Sequence, residues 1–220
     1  TTLASSITQG CGQFCTNPGL IVLVDGPAID AFLPQLAAAL AAQQPHGMLT
    51  AGLRSAFDQG VEQLLAAGAQ PLLHEAGNAI APRPFLAQID AATFIAKPEL
   101  HEEVFGPSSL VVRAASVQQV LEVLQAVGGS LTVTLWGAEQ DSADNRALVR
   151  GAMAIAGRVL FSGVPTGVAV SAGQQHGGPW PASTQPLSTS VGDAAIDRFL
   201  RPVCLQDAPA WLLAHQGQPV

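Results

Sequence analysis

Cys15 stands in the segment Gly10-Cys11-Gly12-Gln13-Phe14-Cys15-Thr16-Asn17-Pro18-Gly19. Glycines before it and Asn-Pro-Gly after it read as a tight, irregular turn. A thiol on such a turn can project into a cleft, with backbone N–H groups nearby to hold a developing oxyanion. The thiolate is the nucleophilic form of cysteine, so the chemistry on offer is covalent catalysis. The plainer alternative is that Cys15 is a small buried hydrophobe, as most free cysteines are. The Cys11–Cys15 spacing could also hold a metal, but no second Cys/His pair completes a zinc site, and no metal is expected. Cys204 lies in a strand candidate, where core packing is its expected role.

Two further segments carry chemistry-bearing residues. In Leu100-His101-Glu102-Glu103-Val104-Phe105-Gly106-Pro107, two acids precede an apolar pair and a Gly-Pro turn. Taken alone, that pattern fits a solvated loop as well as a site. The third segment runs from Gly157 to Val168 and resumes at His176-Gly177-Gly178-Pro179-Trp180-Pro181-Ala182-Ser183-Thr184. Its small residues would let backbone approach a ligand closely. Phe161 and Trp180 could line an apolar channel. His176 is either a hydrogen-bonded structural histidine or a base.

The elements that must position these residues follow from apolar periodicity and punctuation. Residues 1–9 read as a helix end closed by Gly10, and Leu20–Val24 as a buried strand. A helix starts at Gly26-Pro27 and runs to about Gln43, with a kink or break expected at Pro34. Thr50 is a candidate N-cap for a helix ending near Gly68, and Ser116 for one ending near Val127. Residues 71–114, with five prolines, read as strands joined by loops. Leu131–Trp136 and Arg158–Phe161 read as strands, with a helix over 143–155 between them. Residues 162–190 form a long loop-like stretch, and loops of that length are usually functional. Asp193–Phe199 reads as helical and Pro202–Leu205 as a final strand. Strands alternating with helices indicate one α/β domain with an open, twisted, mostly parallel, Rossmann-like sheet flanked by helices.

Composition narrows the function classes. Hydrophobic residues make up 48% of the 220, enough for a buried core, and charged residues only 11%, which argues against disorder. With 9 basic residues spread thinly and a net charge of -7, the chain lacks the clustered Lys and Arg of a nucleic-acid grip. No apolar run approaches the roughly 18 residues of a membrane span. The amino terminus has neither the basic nor the apolar region of a signal peptide. Three cysteines are too few for a disulfide scaffold, so the expected compartment is the cytoplasm.

Taken together and in order, Gly-Gln-Phe-Cys15 and then Glu103-Val-Phe-Gly-Pro, 88 residues later, resemble the aldehyde dehydrogenase superfamily across the whole chain. GQFCTNPGL, GRVLFSGVPTGVAVS, QHGGPWPAST and TSVGDAAIDRFLRPV with Cys204-Leu205-Gln206-Asp207 further resemble the bacterial 2-oxoglutarate semialdehyde (2,5-dioxopentanoate, or 2,5-dioxovalerate) dehydrogenases. The resemblance implies NADP or NAD as cofactor and a small aldehyde as substrate. It implies Cys15 as the nucleophile that forms a thiohemiacetal and then a thioester, with its own N–H as half of the oxyanion hole. Glu103 would hydrogen-bond the ribose beside the nicotinamide, and Phe105 would pack near that ring. Phe14, Phe161, His176 and Trp180 would fall in the aldehyde tunnel. A homo-oligomer is implied as well. Ser162 stands where many relatives carry an amide. The family's nucleotide-binding domain precedes the cysteine, and no Gly-x-Gly-x-x-Gly occurs in this sequence. Residues 1–220 are therefore expected to be the carboxy-terminal catalytic domain of a longer protein, inactive alone as a dehydrogenase. Two other readings stay open: a cysteine hydrolase or thioesterase using Cys15 with His176, and a non-catalytic oligomerisation module.

Overall fold

The computed structural model describes residues 1–213. Its centre is a four-stranded sheet in the order β1 (Leu20–Val24), β4 (Ser108–Ala114), β3 (Phe85–Asp90), β2 (Gln70–His74). β1 and β3 each run parallel to β4, while β2 pairs antiparallel with β3 at the edge. β5 (Ser130–Thr134) and β6 (Ala156–Leu160) form a separate parallel pair. The mostly parallel, helix-flanked sheet expected from the sequence is present, but as two sheets rather than one.

The central strands are buried on both faces, and alternation along them divides the core in two. Phe85, Ala87 and Ile89 of β3, with Leu110 and Val112 of β4, face one way. They meet Phe57, Val61 and Leu64 of α3 (Ala51–Ala66), Phe94 of α4 (Ala91–Ala96) and Val123 of α5 (Val117–Val127). Leu86, Val111 and Ile21 face the other way. They meet Ile7 of α1 (Thr2–Thr8) and Leu33, Leu36 and Leu40 of α2 (Pro27–Ala41).

Local signals set the helix ends. Thr50, Ser116 and Ser142 each accept a backbone N–H of the first turn of α3, α5 and α6 (Ala143–Ile155). α2 continues through Pro34, so the helix is not broken there. Pro34 and Asp30, whose carbonyl it deprives of a partner, both lie on the exposed side of the helix. Within 71–114 the six-residue α4 was not expected; Asp90 caps it through Thr93 N at 2.8 Å.

Asp193–Phe199 is a 3-10 helix, and Pro202–Leu205 is not a strand. Strand propensity there finds no neighbouring strand to pair with among the described residues. Cys204 is accordingly exposed rather than packed in a core. Ile196, Phe199, Leu200, Val203 and Leu205 along this stretch are all exposed. Among the described residues no helix is long and apolar enough to cross a membrane.

Candidate active site

The Cys15 loop begins where α1 tightens into a 3-10 turn, Gln9–Gly12. Gly10, Cys11 and Gly12 take left-handed φ angles of 56°, 60° and 68°. This triplet reverses the chain and brings Gly12 onto the backbone of Gly106: a Cβ at Gly12 would overlap the Gly106 carbonyl. Asn17 Nδ2 donates to the same carbonyl oxygen at 2.8 Å, and Ser109 Oγ donates to Pro18 O at 2.6 Å. The first two segments singled out in the sequence are thus one structural unit.

The Glu-Glu-Val-Phe-Gly-Pro segment is pinned from below. Val104 packs against Gly60 of α3, and the Phe57 ring lies under Gly106. Its apolar members face inward, and Glu102 and Glu103 face out. Neighbouring groups desolvate the Glu103 carboxyl and push its pKa above the usual carboxylate value, although the residue as a whole is exposed. Phe105 is half-buried beside Gly106.

The third segment reaches Cys15 through His176. Its Nε2 lies 3.3 Å from the exposed Cys15 Sγ. The imidazole is buried at 7% exposure. His176 N–H donates to Thr189 Oγ1 at 2.8 Å, and the His176 carbonyl accepts from Ser190 N and Ser190 Oγ, both at 2.9 Å. The following Gly177-Gly178 pair lies on the starts of β6 and β5. At Gly178, with φ 135°, a Cβ would meet Ser130 O at 2.6 Å. Burial, and the nearby Arg158 guanidinium, hold the His176 pKa below its ordinary value. At neutral pH the ring is therefore uncharged and can accept a thiol proton at Nε2. That tautomer places the ring hydrogen on Nδ1, which is buried without a hydrogen-bond partner.

Phe14, Phe161 and Trp180 are exposed at 39%, 53% and 72%, so their rings remain available at the surface. Thr189 and Ser190, which hold His176, were not singled out from the sequence. Neither was Thr166, whose Oγ1 lies 2.6 Å from Ser6 Oγ and 3.4 Å from Thr16 O. Hydroxyl residues are common in loops, and only the fold reveals what these three touch. Cys11 is buried, its thiol donates to His46 O, and burial raises its pKa. All three cysteines are free. Among the described residues no group of three or more His, Cys, Asp or Glu could hold a metal ion.

Limited alkylation of the folded chain with iodoacetamide is expected to modify Cys15 and Cys204 and to spare Cys11 until unfolding. Peptide mass mapping checks this order. Early labelling of Cys11 would contradict the buried placement of that thiol.

An exposed thiol and a buried imidazole thus meet on an open, mostly parallel α/β fold. Comparison with known proteins gives its kinship. The chain is 43% identical over 226 aligned positions to alpha-ketoglutaric semialdehyde dehydrogenase 2 of Azospirillum brasilense, covering 97% of this chain and 41% of that protein. It is 40% identical over 219 positions to the alpha-ketoglutaric semialdehyde dehydrogenase of Acinetobacter baylyi, covering 95% of this chain and 40% of that protein. The fold matches that of aldehyde dehydrogenase 21 from Physcomitrella patens, solved in complex with the reaction product succinate. That match has a TM-score of 0.64 at 16% identity, over 80% of this chain and 37% of that one. No family model matches the chain. In sequence the chain is similar to alpha-ketoglutaric semialdehyde dehydrogenases, and in fold to an aldehyde dehydrogenase. Its curated relatives are alpha-ketoglutaric semialdehyde dehydrogenases, of whose length it spans about two fifths.

Proposed function

We propose that the complete protein is a nicotinamide-dependent dehydrogenase that oxidises a small carboxylated aldehyde, 2,5-dioxopentanoate, to 2-oxoglutarate. The observation that carries this reading is the exposed Cys15 Sγ at 3.3 Å from the buried His176 Nε2, in a chain whose relatives are named for that reaction. His176 takes the thiol proton, and the Cys15 sulfur bonds to the aldehyde carbon to give a thiohemiacetal. In this reading the Cys15 N–H donates one hydrogen bond to the new oxyanion. NAD or NADP, when bound, would supply the hydride acceptor for oxidation of this adduct to a thioester. Water then releases the acid and returns the thiol.

The residues present fit such a cofactor. The partly desolvated Glu103 carboxylate can accept hydrogen bonds from ribose hydroxyls, and its segment is tied to the Cys15 loop through Gly106 and Asn17. Phe105, next to Gly106, is the aromatic surface for the nicotinamide end. Phe14, Phe161 and Trp180 provide exposed apolar area for the aldehyde's chain. The exposed apolar residues Ile196, Phe199, Leu200, Val203 and Leu205 support assembly into a homo-oligomer. Free thiols support a reducing, cytoplasmic setting.

The Cys15–His176 distance also favours a second reading, a nicotinamide-free thioesterase. A panel of aldehydes and thioesters, assayed with NAD, with NADP and with neither, separates the two. Reduced nicotinamide should accumulate fastest with 2,5-dioxopentanoate. Thioester hydrolysis with no aldehyde oxidation under any condition would favour the hydrolase instead.

A further inference from the structure

Arg158 belongs to β6, and its guanidinium is held by two carbonyls: Nη2 donates to Pro165 O at 2.6 Å and Nη1 to Gly167 O at 3.2 Å. Its Nε is buried and has no hydrogen-bond partner. Among the described residues the five ion pairs of Arg54, Arg83, Arg113 and Arg146 leave Arg158 without a carboxylate. A partly desolvated cation with no counter-anion carries a cost that two carbonyls only partly offset.

The loop it holds gives the guanidinium a role. Thr166 sits between the two clamped carbonyls, and its hydroxyl reaches Ser6 Oγ, Ser6 O and Thr16 O. Arg158 thus braces, through one short loop, the residue that follows the nucleophile. The guanidinium is also electrostatically coupled to both members of the pair. The Cys15 thiol partly offsets the lowering of the Arg158 pKa by burial, and the Arg158 charge adds to the lowering at His176.

We propose that Arg158 is a positioning residue for the Cys15–His176 pair: clamped by two carbonyls and lacking a carboxylate, it braces the loop beneath Thr16 and presents its charge to the thiol and the imidazole. The titratable and charged groups facing His176 are Cys15 from the nucleophile loop and Arg158 from β6. Arg198, from the 3-10 helix, lines the same cavity of about 320 Å³ that His176 borders. Loss of the Arg158 charge lets His176 hold its proton to higher pH, and a protonated imidazole cannot accept the thiol proton.

The proposal rests on Cys15 being the reactive thiol, but its test needs neither aldehyde nor nicotinamide. The rate of Cys15 alkylation by iodoacetamide is followed against pH in the 220-residue chain, with Cys204 as internal control and Cys11 labelling as the sign of unfolding. In Arg158→Met the acid limb of the Cys15 profile should move to higher pH. Labelling near pH 6 should be about three- to tenfold slower than in the unaltered chain, a shift of half to one unit. Arg158→Lys keeps the charge and should restore most of the profile; this variant carries the test if the Met variant labels at Cys11. An Arg158→Met profile superimposable on the original, with Cys11 protected, would overturn the proposal. So would a profile in the folded Lys variant displaced as far as one-tenth the original rate. Failure of the complete protein to oxidise aldehydes, with these shifts intact, would count against the dehydrogenase reading and leave this one standing.

Discussion

Cys15→Ser in the complete protein is expected to lower aldehyde oxidation by about four to six orders of magnitude, the scale on which loss of a covalent nucleophile acts. A serine hydroxyl does not ionise near neutral pH. A single neutral imidazole with no partner on its second nitrogen is poorly placed to activate it. The exposed side chain contributes little to the core, so thermal unfolding should stay within about 0.5 kcal/mol of the unaltered protein. Absorbance of reduced nicotinamide measures the first effect, and calorimetry or circular dichroism the second. Activity retained within tenfold would remove Cys15 from the chemistry.

The second large effect is on stability. Gly12→Ala places a Cβ into the Gly106 carbonyl and asks an L-residue to adopt φ 68°. The left-handed conformation alone costs about 1–2 kcal/mol, and forcing atoms into a filled space adds about 1–3 kcal/mol or more. The combined loss should lower the melting temperature by on the order of 10 °C in a chain of this size. Relief would have to come from separating the nucleophile loop from the Glu103 segment. Gly19→Ala is the control: nothing lies within 4 Å of a Cβ there, and its φ is not left-handed. It should melt within a few degrees of the original. Equal behaviour of the two variants would mean that the close approach of Gly12 and Gly106 is unimportant.

The residues of the candidate site were legible in the sequence where residue type limits function. A cysteine between Gly and Asn-Pro-Gly, paired acids before Phe-Gly-Pro, and a histidine before Gly-Gly-Pro each stand out by composition. The partners that hold them in place did not. Thr189, Ser190 and Thr166 act through the return path of a stretch without regular structure, for which no periodicity exists. Helix ends were readable because capping is local: Thr50 and Ser116 lie three residues from the N–H groups they accept. Strand pairing is not local. Pro202–Leu205 has a strand-like composition but no neighbour, and Cys204 went from an expected core position to the surface with it. The division into two sheets was invisible for the same reason, since Leu131–Trp136 and Arg158–Phe161 carry no mark of which sheet they join.

That division has a mechanical consequence. Cys15 precedes β1 of the four-stranded sheet, whereas His176 precedes the two glycines that lie on the starts of β6 and β5. Hydrogen-bonded ladders make each sheet stiff along its own strands, while no strand pairing joins the two sheets: α5, packed on β1, and α6, packed on β6, meet between them. A slide of one sheet past the other by about an ångström would take sulfur and nitrogen beyond hydrogen-bonding range without breaking a single ladder bond. The thiol and the imidazole therefore act as a caliper across a seam: their separation registers how the two sheets are seated, not how well either is folded.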